Sequence, residues 1–251
     1  MISRPCFECG APVEGDDLGA YGEAGLAHVR DAHPDLPYPD MAVRNFFEGE
    51  ARMTGPAERL DHLGDVDIHP VSEDRIDDWL DFFDHDAMVG VPQNASCYCL
   101  EPHELTPRGP QPEERHWTDR RAEMVDLLRR GVAFGYLAYV DGRPAGWVNA
   151  ARRGDLSLFR RDDAADDGTV AVACFAIAPP YRGHGLARRL LHRVIADAPG
   201  RGADAVEAYP PTGDMTSGTN YRGGRRMYDA AGFTEVTVRS RDTVVRRPVG
   251  G

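Results

Sequence analysis

No lysine occurs anywhere in the 251 residues, so all 29 basic side chains are arginines. Catalysis through a lysine Schiff base is thereby excluded. Long apolar runs are missing as well. The longest, Val170 to Ala178, is about half of the ~20 residues that a membrane helix requires. The opening Met1-Ile2-Ser3-Arg4-Pro5-Cys6 carries no apolar signal core, and a cytoplasmic protein with no membrane partner is the expectation. Cysteine is scarce: Cys6, Cys9, Cys97, Cys99 and Cys174 are odd in number, and four of them stand in close pairs. That usage suits metal or thiol chemistry in a reducing compartment better than a disulfide framework. Positive charge is also short, with 41 acidic against 29 basic residues and a net charge of −12. Such a surface repels polyanions and favours a cationic partner, such as an amine.

The first fifty residues hold Cys6-Phe7-Glu8-Cys9, an eighteen-residue spacer, then His28 and His33. Two thiolates in a knuckle and two imidazoles from a helix are the ligand set of a tetrahedral structural zinc site. The pattern resembles a Cys2His2 zinc finger with a lengthened spacer. Gly10, Gly15, Gly19 and Gly22 are read as turning that spacer, and Ala24–Ala32 as the ligating helix. Because His28 and His33 are five residues apart, that helix must end or loosen near Asp31, and Pro34 agrees. A segment this short cannot bury enough core to hold itself, so a metal staple is physically reasonable. Residues 1–54 carry ten acidic side chains and four arginines, a net of −6, which argues against binding nucleic acid. A role in structure, a protein contact or a lid over an acceptor site fits better. Asp40 is read as capping a helix that carries Met41, Val43, Phe46 and Phe47 and docks this unit on the larger domain. Residues 55–65 form the linker, and 66–247 the main domain.

Within the main domain, Val66–Val71 reads as a strand. Ser72 then caps a helix with Ile76, Trp79, Leu80 and Phe83 facing inward. A second helix starts near Thr118 and stops at Gly131. Residues 132–151 alternate as a hairpin around Asp141-Gly142-Arg143-Pro144. Next comes an apolar, β-branched strand from Thr169 to Ala178, Pro179-Pro180, and the run Tyr181-Arg182-Gly183-His184-Gly185-Leu186-Ala187. That run opens a helix with Leu186, Leu190, Leu191, Val194 and Ile195 on one face. A strand over 203–209, a helix over 222–231 and a strand over 233–245 complete the domain. A buried strand feeding a glycine turn and a helix leaves the first helical N–H groups unpartnered, a ready site for a diphosphate.

The spacing Arg182-x-x-Gly185-x-Ala187, set between that strand and helix, resembles the acyl-CoA signature of the GNAT superfamily of N-acyltransferases. Met227-Tyr228-Asp229-Ala230-Ala231-Gly232-Phe233 is similar to the family's Tyr-x-x-x-Gly-Phe element. Tyr221 and Gly224 stand where the family often has Asn and Ala. The resemblance spans about residues 66–247 and implies an α/β (α+β) GNAT fold, a mixed central sheet flanked by helices, beside the small zinc module. It further implies transfer of an acyl group, acetyl by expectation, from acyl-CoA to an amine of a small molecule or peptide. Backbone amides of Phe175 and Ile177 would hold the pantetheine arm. Arg182, Gly183, His184, Gly185, Leu186 and Ala187 would surround the diphosphate. Tyr228 matches the tyrosine that protonates the leaving sulfur; its alternative is a packing role.

Glu207, at the end of the neighbouring strand, is the first candidate base, or else a solvent-facing glutamate. Cys97 and Cys99 lie between the first two helices, where the family builds its acceptor pocket, and an extended chain would point both to one side. They read as buried small side chains, as a pocket thiol or acyl relay at Cys97, or as a second metal site with His103. Cys174 reads as packing. Asp162, Asp163, Asp166 and Asp167 form a solvated acidic loop or a guide for a cationic acceptor. Two other functions stay open: a transferase using a carrier-protein or aminoacyl-tRNA donor, and a non-catalytic zinc-finger adaptor that binds CoA. The retained turn glycines and Tyr228 speak against the second. Acceptor and oligomeric state are not written in the sequence.

Overall fold

The chain opens with a short antiparallel pairing of β1 (Ile2–Pro5) and β2 (Pro12–Gly15), which flank the Cys6–Cys9 knuckle. A computed structural model describes residues 1–104, 115–157, 168–213 and 220–250. Helix α1 (Leu18–Ala32) begins where the Asp17 carboxylate accepts the Ala20 amide at 2.8 Å. It therefore starts six residues before the expected Ala24, with Gly19 and Gly22 inside it rather than in a loop. Glycine weakens a helix by roughly 1 kcal/mol, but here close packing overrides propensity. A β-carbon on Gly25 would lie 2.3 Å from the Phe47 ring, and one on Gly22 would lie 2.5 Å from Glu48. Both partners belong to α2 (Asp40–Arg52). Asp40 does not cap this helix: Pro39 is its N-cap, and the Asp40 carboxylate instead accepts from Arg30 Nε at 2.9 Å. Cys6, Val13, Tyr21, Leu26, Val29, Val43 and Phe47 make the module's small core.

Helix α2 docks through polar side chains as well as apolar ones. Arg52, only 6 % exposed, donates to the Ala95 carbonyl at 2.9 Å and to Tyr98 Oη, and stacks 3.9 Å from the Trp117 ring. Glu48 accepts from Trp117 Nε1 at 2.5 Å, and Asn45 bridges the Trp117 amide and the Arg115 carbonyl. The following stretch is pinned along its course. Gly55 donates to the His85 carbonyl, Leu60 to Pro180, and Asp65 exchanges bonds with Asp141.

The main domain is a seven-stranded sheet in the order β3-β4-β5-β6-β7-β9-β8. Its strands are β3 (Val66–Pro70), β4 (Ala133–Val140), β5 (Arg143–Arg152), β6 (Thr169–Ile177), β7 (Ala205–Ala208), β8 (Thr234–Val238) and β9 (Thr243–Pro248). Among the described residues only β6 and β7 pair in parallel. Strand β4 is buried at every residue and central β6 at all but its last, as expected for strands covered on both faces. One face carries α3 (Ile76–Asp81), its π-helical continuation to Asp86, the short α4 (Glu101–Glu104) and α5 (Trp117–Arg129). Trp79, Phe82, Phe83, Tyr98 and Trp147 fill that side. The other face carries α6 (Leu186–Asp197) and α7 (Arg225–Ala230), with Leu190, Leu191, Val194, Tyr228 and Phe233 against Tyr136, Val148 and Val172.

Two expected elements differ. Ser72 precedes a 3₁₀ turn, and its hydroxyl bonds the Asp74 carboxylate rather than the backbone. Residues 233–245 form a hairpin, not one strand. The reversal at Arg239–Asp242 is held by the Arg239 amide on the Asp242 carbonyl and by Arg239 Nε on the Asp242 carboxylate. Among the described residues no helix is long and apolar enough to cross a membrane.

Candidate active site

β6 and β7 start together and then part. They pair from Thr169↔Ala205 to Val172↔Ala208, and no register continues beyond. On the β5 side the ladder slips at the same place: Asn149 faces Cys174 and Ala150 faces Val172, so Ala173 is an extra, bulged residue. A bulge bends a strand and sharpens its twist. The freed edge, Cys174 to Ile177, lines a cavity of about 660 Å3 with Arg182, Gly183 and Tyr221.

At the end of β6 the chain makes a 3₁₀ turn over Pro179–Tyr181, then turns left-handed at Gly183 (φ +82°) and Gly185 (φ +78°). Gly185 is the N-cap of α6 and no side chain caps it, so the amides of the first turn remain available to an anion. The expected cluster Arg182–Ala187 borders a cavity of about 780 Å3, together with Arg188 and Arg226. Arg182 Nε donates to the Ile177 carbonyl at 2.8 Å, and His184 Nε2 sits 3.0 Å from the Leu60 carbonyl. An unexpected cation joins them: a β-carbon on Gly183 would stand 2.4 Å from Arg59 Nη2. The segment following α2 thus delivers a guanidinium to the turn. No local pattern could have announced it, because the contact is made only by the fold.

Phe175 and Ile177 both line the cleft beside the freed edge. Tyr228 is fully buried and donates to the Arg222 carbonyl at 2.6 Å. Burial pushes its phenol well above the ordinary value, so it stays protonated. Its hydroxyl lies directly behind Gly223, where a β-carbon would come within 3.1 Å of it. Gly223, at φ +76°, also lines the cleft. Tyr221 lines the cleft directly.

Glu207 is buried and paired. It is 1 % exposed, takes two bonds from Arg246 (2.7 and 3.0 Å) and one from Tyr209 Oη (2.7 Å), and is neither solvent-facing nor part of the cleft lining. Its strand pairing places it opposite Arg246. Glu207→Ala is expected to cost about 3 kcal/mol of stability by stranding that arginine, with turnover per folded molecule unchanged. Urea unfolding beside active-site-normalised rates checks this. A lost rate with intact stability would return Glu207 to the role of base.

The Cys97–Cys99 segment is not extended. Tyr98 (φ +48°) and Cys99 (φ +54°) are consecutive left-handed residues, a conformation that costs on the order of 1–3 kcal/mol each and needs its surroundings to impose it. Here Tyr98 Oη is held by Arg52 and Asp84, and Asn149 donates to the Cys99 carbonyl at 2.8 Å. Cys99 Sγ lies 2.9 Å from Cys174 Sγ, both buried. Burial pushes the Cys97 thiol up to about 11, so it remains a thiol near neutral pH and a poor acyl relay. A second metal site is likewise not formed: among the described residues, only Cys6, Cys9, His28 and His33 converge as three or more metal-type donors. Asp162, Asp163, Asp166 and Asp167 lie outside the described residues.

Glu101, at the start of α4, was not singled out by the sequence. The residue lines the cleft, and its carboxylate has no hydrogen bond or ion pair among the described residues. Such a group is free to bind a cation or take a proton.

At the N-terminus, the four donor atoms of Cys6, Cys9, His28 and His33 lie within 4.8 Å of one another. Cys9 Sγ is 3.3 Å from His28 Nε2, and Cys6 Sγ is 3.8 Å from His33 Nε2. His33 can join because α1 stops at Ala32 and leaves it as the non-helical C-cap.

The family model for the acetyltransferase (GNAT) family matches residues 96–233. No curated protein matches the sequence. Among solved structures, the GNAT domain of S. lividans PAT is 17% identical, covering 72% of this chain and 89% of its own at a TM-score of 0.46. The ribosomal-protein-S18-alanine N-acetyltransferase of Escherichia coli is 13% identical (74% and 96% covered, TM-score 0.43). The PaiA N-acetyltransferase of Thermoplasma acidophilum, in complex with coenzyme A, is 11% identical (73% and 99% covered, TM-score 0.46).

Proposed function

The chain belongs to the acetyltransferase (GNAT) family, and from that premise we propose that its cleft binds acetyl-CoA and passes the acetyl group directly to the nitrogen of an amine. The observation that carries this reading is the parting of β6 from β7 beside an uncapped start of α6. The diphosphate is assigned to the amides from Gly183 to Ala187, with Arg59, Arg182, Arg188 and Arg226 around it. The pantetheine arm is assigned to the freed edge at Phe175 and Ile177, where oriented amides would stabilise charge developing on the carbonyl oxygen.

Glu101 replaces Glu207 as the group that accepts a proton from the acceptor ammonium, directly or through water. The freed lone pair attacks the thioester carbonyl carbon, the carbon–sulfur bond breaks, and the nitrogen sheds its second proton, which returns through water to the group that protonates the sulfur. The departing thiolate takes a proton, for which Tyr228, behind Gly223, is the assigned donor. The protonated Cys97 thiol favours this direct transfer over a covalent relay.

We also assign residues 1–54 as a zinc module, 55–65 as a connecting strap and 66–247 as the transferase domain. Tetrahedral zinc with bonds of about 2.0–2.3 Å separates its ligands by about 3.3–3.8 Å; the Cys9–His28 and Cys6–His33 pairs, at 3.3 and 3.8 Å, have that spacing, and all four donors lie within 4.8 Å of one another. When bound, the ion ties the knuckle to α1.

Thiol release from acetyl-CoA in the presence of amines tests the activity, and two phenol variants test the acid. Tyr228→Phe is expected to lower kcat by about 10²-fold with acetyl-CoA affinity retained, and Tyr221→Phe to leave kcat near wild type. The reverse order would transfer the role to Tyr221. The Arg222 carbonyl loses its partner in Tyr228→Phe, so rates should be read well below that variant's melting temperature.

A further inference from the structure

A second cavity, of about 620 Å3, lies where the zinc module meets the transferase domain. Half of its lining comes from the module, including Phe7 in the Cys6–Cys9 knuckle, Tyr38 between α1 and α2, and Phe46 on α2. The facing wall includes Cys97, Glu101 and Arg120. This cavity and the acetyl-CoA cleft are not separate: Asn94, Cys97 and Glu101 line both. Glu101, whose carboxylate has no hydrogen bond or ion pair among the described residues, therefore stands at the junction, with the thioester side in one direction and an aromatic chamber in the other.

The aromatic side chains there are not used up by the module's own core. Phe7 is 39 % and Tyr38 50 % exposed, and Phe7 packs edge-on against Phe46 with ring centroids 4.6 Å apart. Large apolar side chains grouped around a concave surface, with a few polar or charged groups among them, are the usual composition of a small-ligand pocket, and the volume falls within the ordinary range of about 300–1,000 Å3. Of the two charged residues in the lining, Arg120 is buried at 4 % exposure and has interactions of its own, which leaves the Glu101 carboxylate to select a cation.

Resting on the acetyltransferase reading, we infer that the zinc module builds one wall of the acceptor site, and that the acceptor is a small primary amine bearing an aromatic group, its ammonium at Glu101 and its ring between Phe7, Tyr38 and Phe46. The module's function is then to shape substrate choice. Zinc acts at a distance by fixing the knuckle that carries Phe7. Aliphatic amines that reach Glu101 but leave the chamber empty would be poor substrates, because only the ring collects the apolar contacts.

The test uses the full chain and follows thiol release from acetyl-CoA with 2-phenylethylamine and with ethylamine, beside acetyl-CoA binding measured by calorimetry. The expected kcat/KM ratio favours 2-phenylethylamine by about 10–200-fold. Phe46→Ala and Tyr38→Ala should each reduce that ratio by about tenfold or more, mainly through KM, with acetyl-CoA affinity unchanged. Tyr38 is half exposed, so its variant remains informative should Phe46→Ala fold poorly. A ratio near one, or a ratio untouched by both variants, overturns the inference while leaving the acetyltransferase reading standing. So does acetylation confined to peptide N-termini, or acetyl-CoA binding without turnover of 2-phenylethylamine. Absence of acetyl-CoA binding in the wild-type chain overturns the parent reading and this one together.

Discussion

Glutamate in place of Gly185 is expected to weaken acetyl-CoA binding by more than about 100-fold, since placing like charges together costs several kcal/mol. Gly185 sits at φ +78° as the N-cap of α6, and a β-carbon there would meet nothing closer than Arg188 Nη2 at 3.6 Å. Space is therefore not the obstacle to folding. The left-handed backbone would cost a substituted residue about 1–2 kcal/mol, which a domain of this size tolerates. The carboxylate, however, would occupy the amides and arginines assigned to the diphosphate. Gly185→Ala carries the same backbone cost without the charge, and it should retain most of the affinity. Calorimetric titration of both variants separates the two terms. Equal losses in Ala and Glu would mean that backbone distortion rather than charge is responsible. No loss in Glu would remove the diphosphate from this turn.

Withdrawal of zinc should have the other large effect. The module's core is seven side chains around Tyr21 and Phe47, too little to stabilise fifty residues unaided. Structural zinc sites contribute an apparent free energy of about 10–16 kcal/mol, so chelation or Cys6→Ser should unfold β1, β2 and α1. Helix α2 has an independent hold on the transferase domain through Arg52 and Glu48, and the transferase domain should survive. Elemental analysis should find one zinc per chain, lost in Cys6→Ser. Chelated protein should show a separate low-temperature transition, keep its acetyl-CoA affinity and lose its preference for an aromatic amine. An unchanged circular dichroism spectrum after chelation, or no bound zinc at all, would contradict the metal's structural role.

What could be read in advance follows the range of the forces involved. β6, the glycine turn and α6 were legible because their signals are local: a β-branched apolar run, two glycines and a helical stripe of leucines. The convergence of Cys6, Cys9, His28 and His33 was legible because such donors are rare and their spacing constrained. The terminal hairpin was missed because its turn, Arg239-Ser240-Arg241-Asp242, contains neither glycine nor proline and is held by side-chain charge. The start of α1 was missed because Gly19 and Gly22 count against a helix until Glu48 is known to lie against Gly22. The ion pair of Glu207 was not legible because its partner, Arg246, comes from a strand far along the chain. Arg59 and Glu101 gain their meaning only from cavities, and a cavity has no one-dimensional signature.

The central claim is that the gap between β6 and β7 receives acetyl-CoA. Its most direct test is the melting temperature of the zinc-loaded chain with and without acetyl-CoA. Ligand at one hundred times its dissociation constant stabilises a folded protein by about 2.7 kcal/mol, which for a chain of this size raises the transition by about 5–11 °C. The account predicts that rise in the wild type and its loss in Gly185→Glu. A wild-type transition unmoved by saturating acetyl-CoA would contradict it.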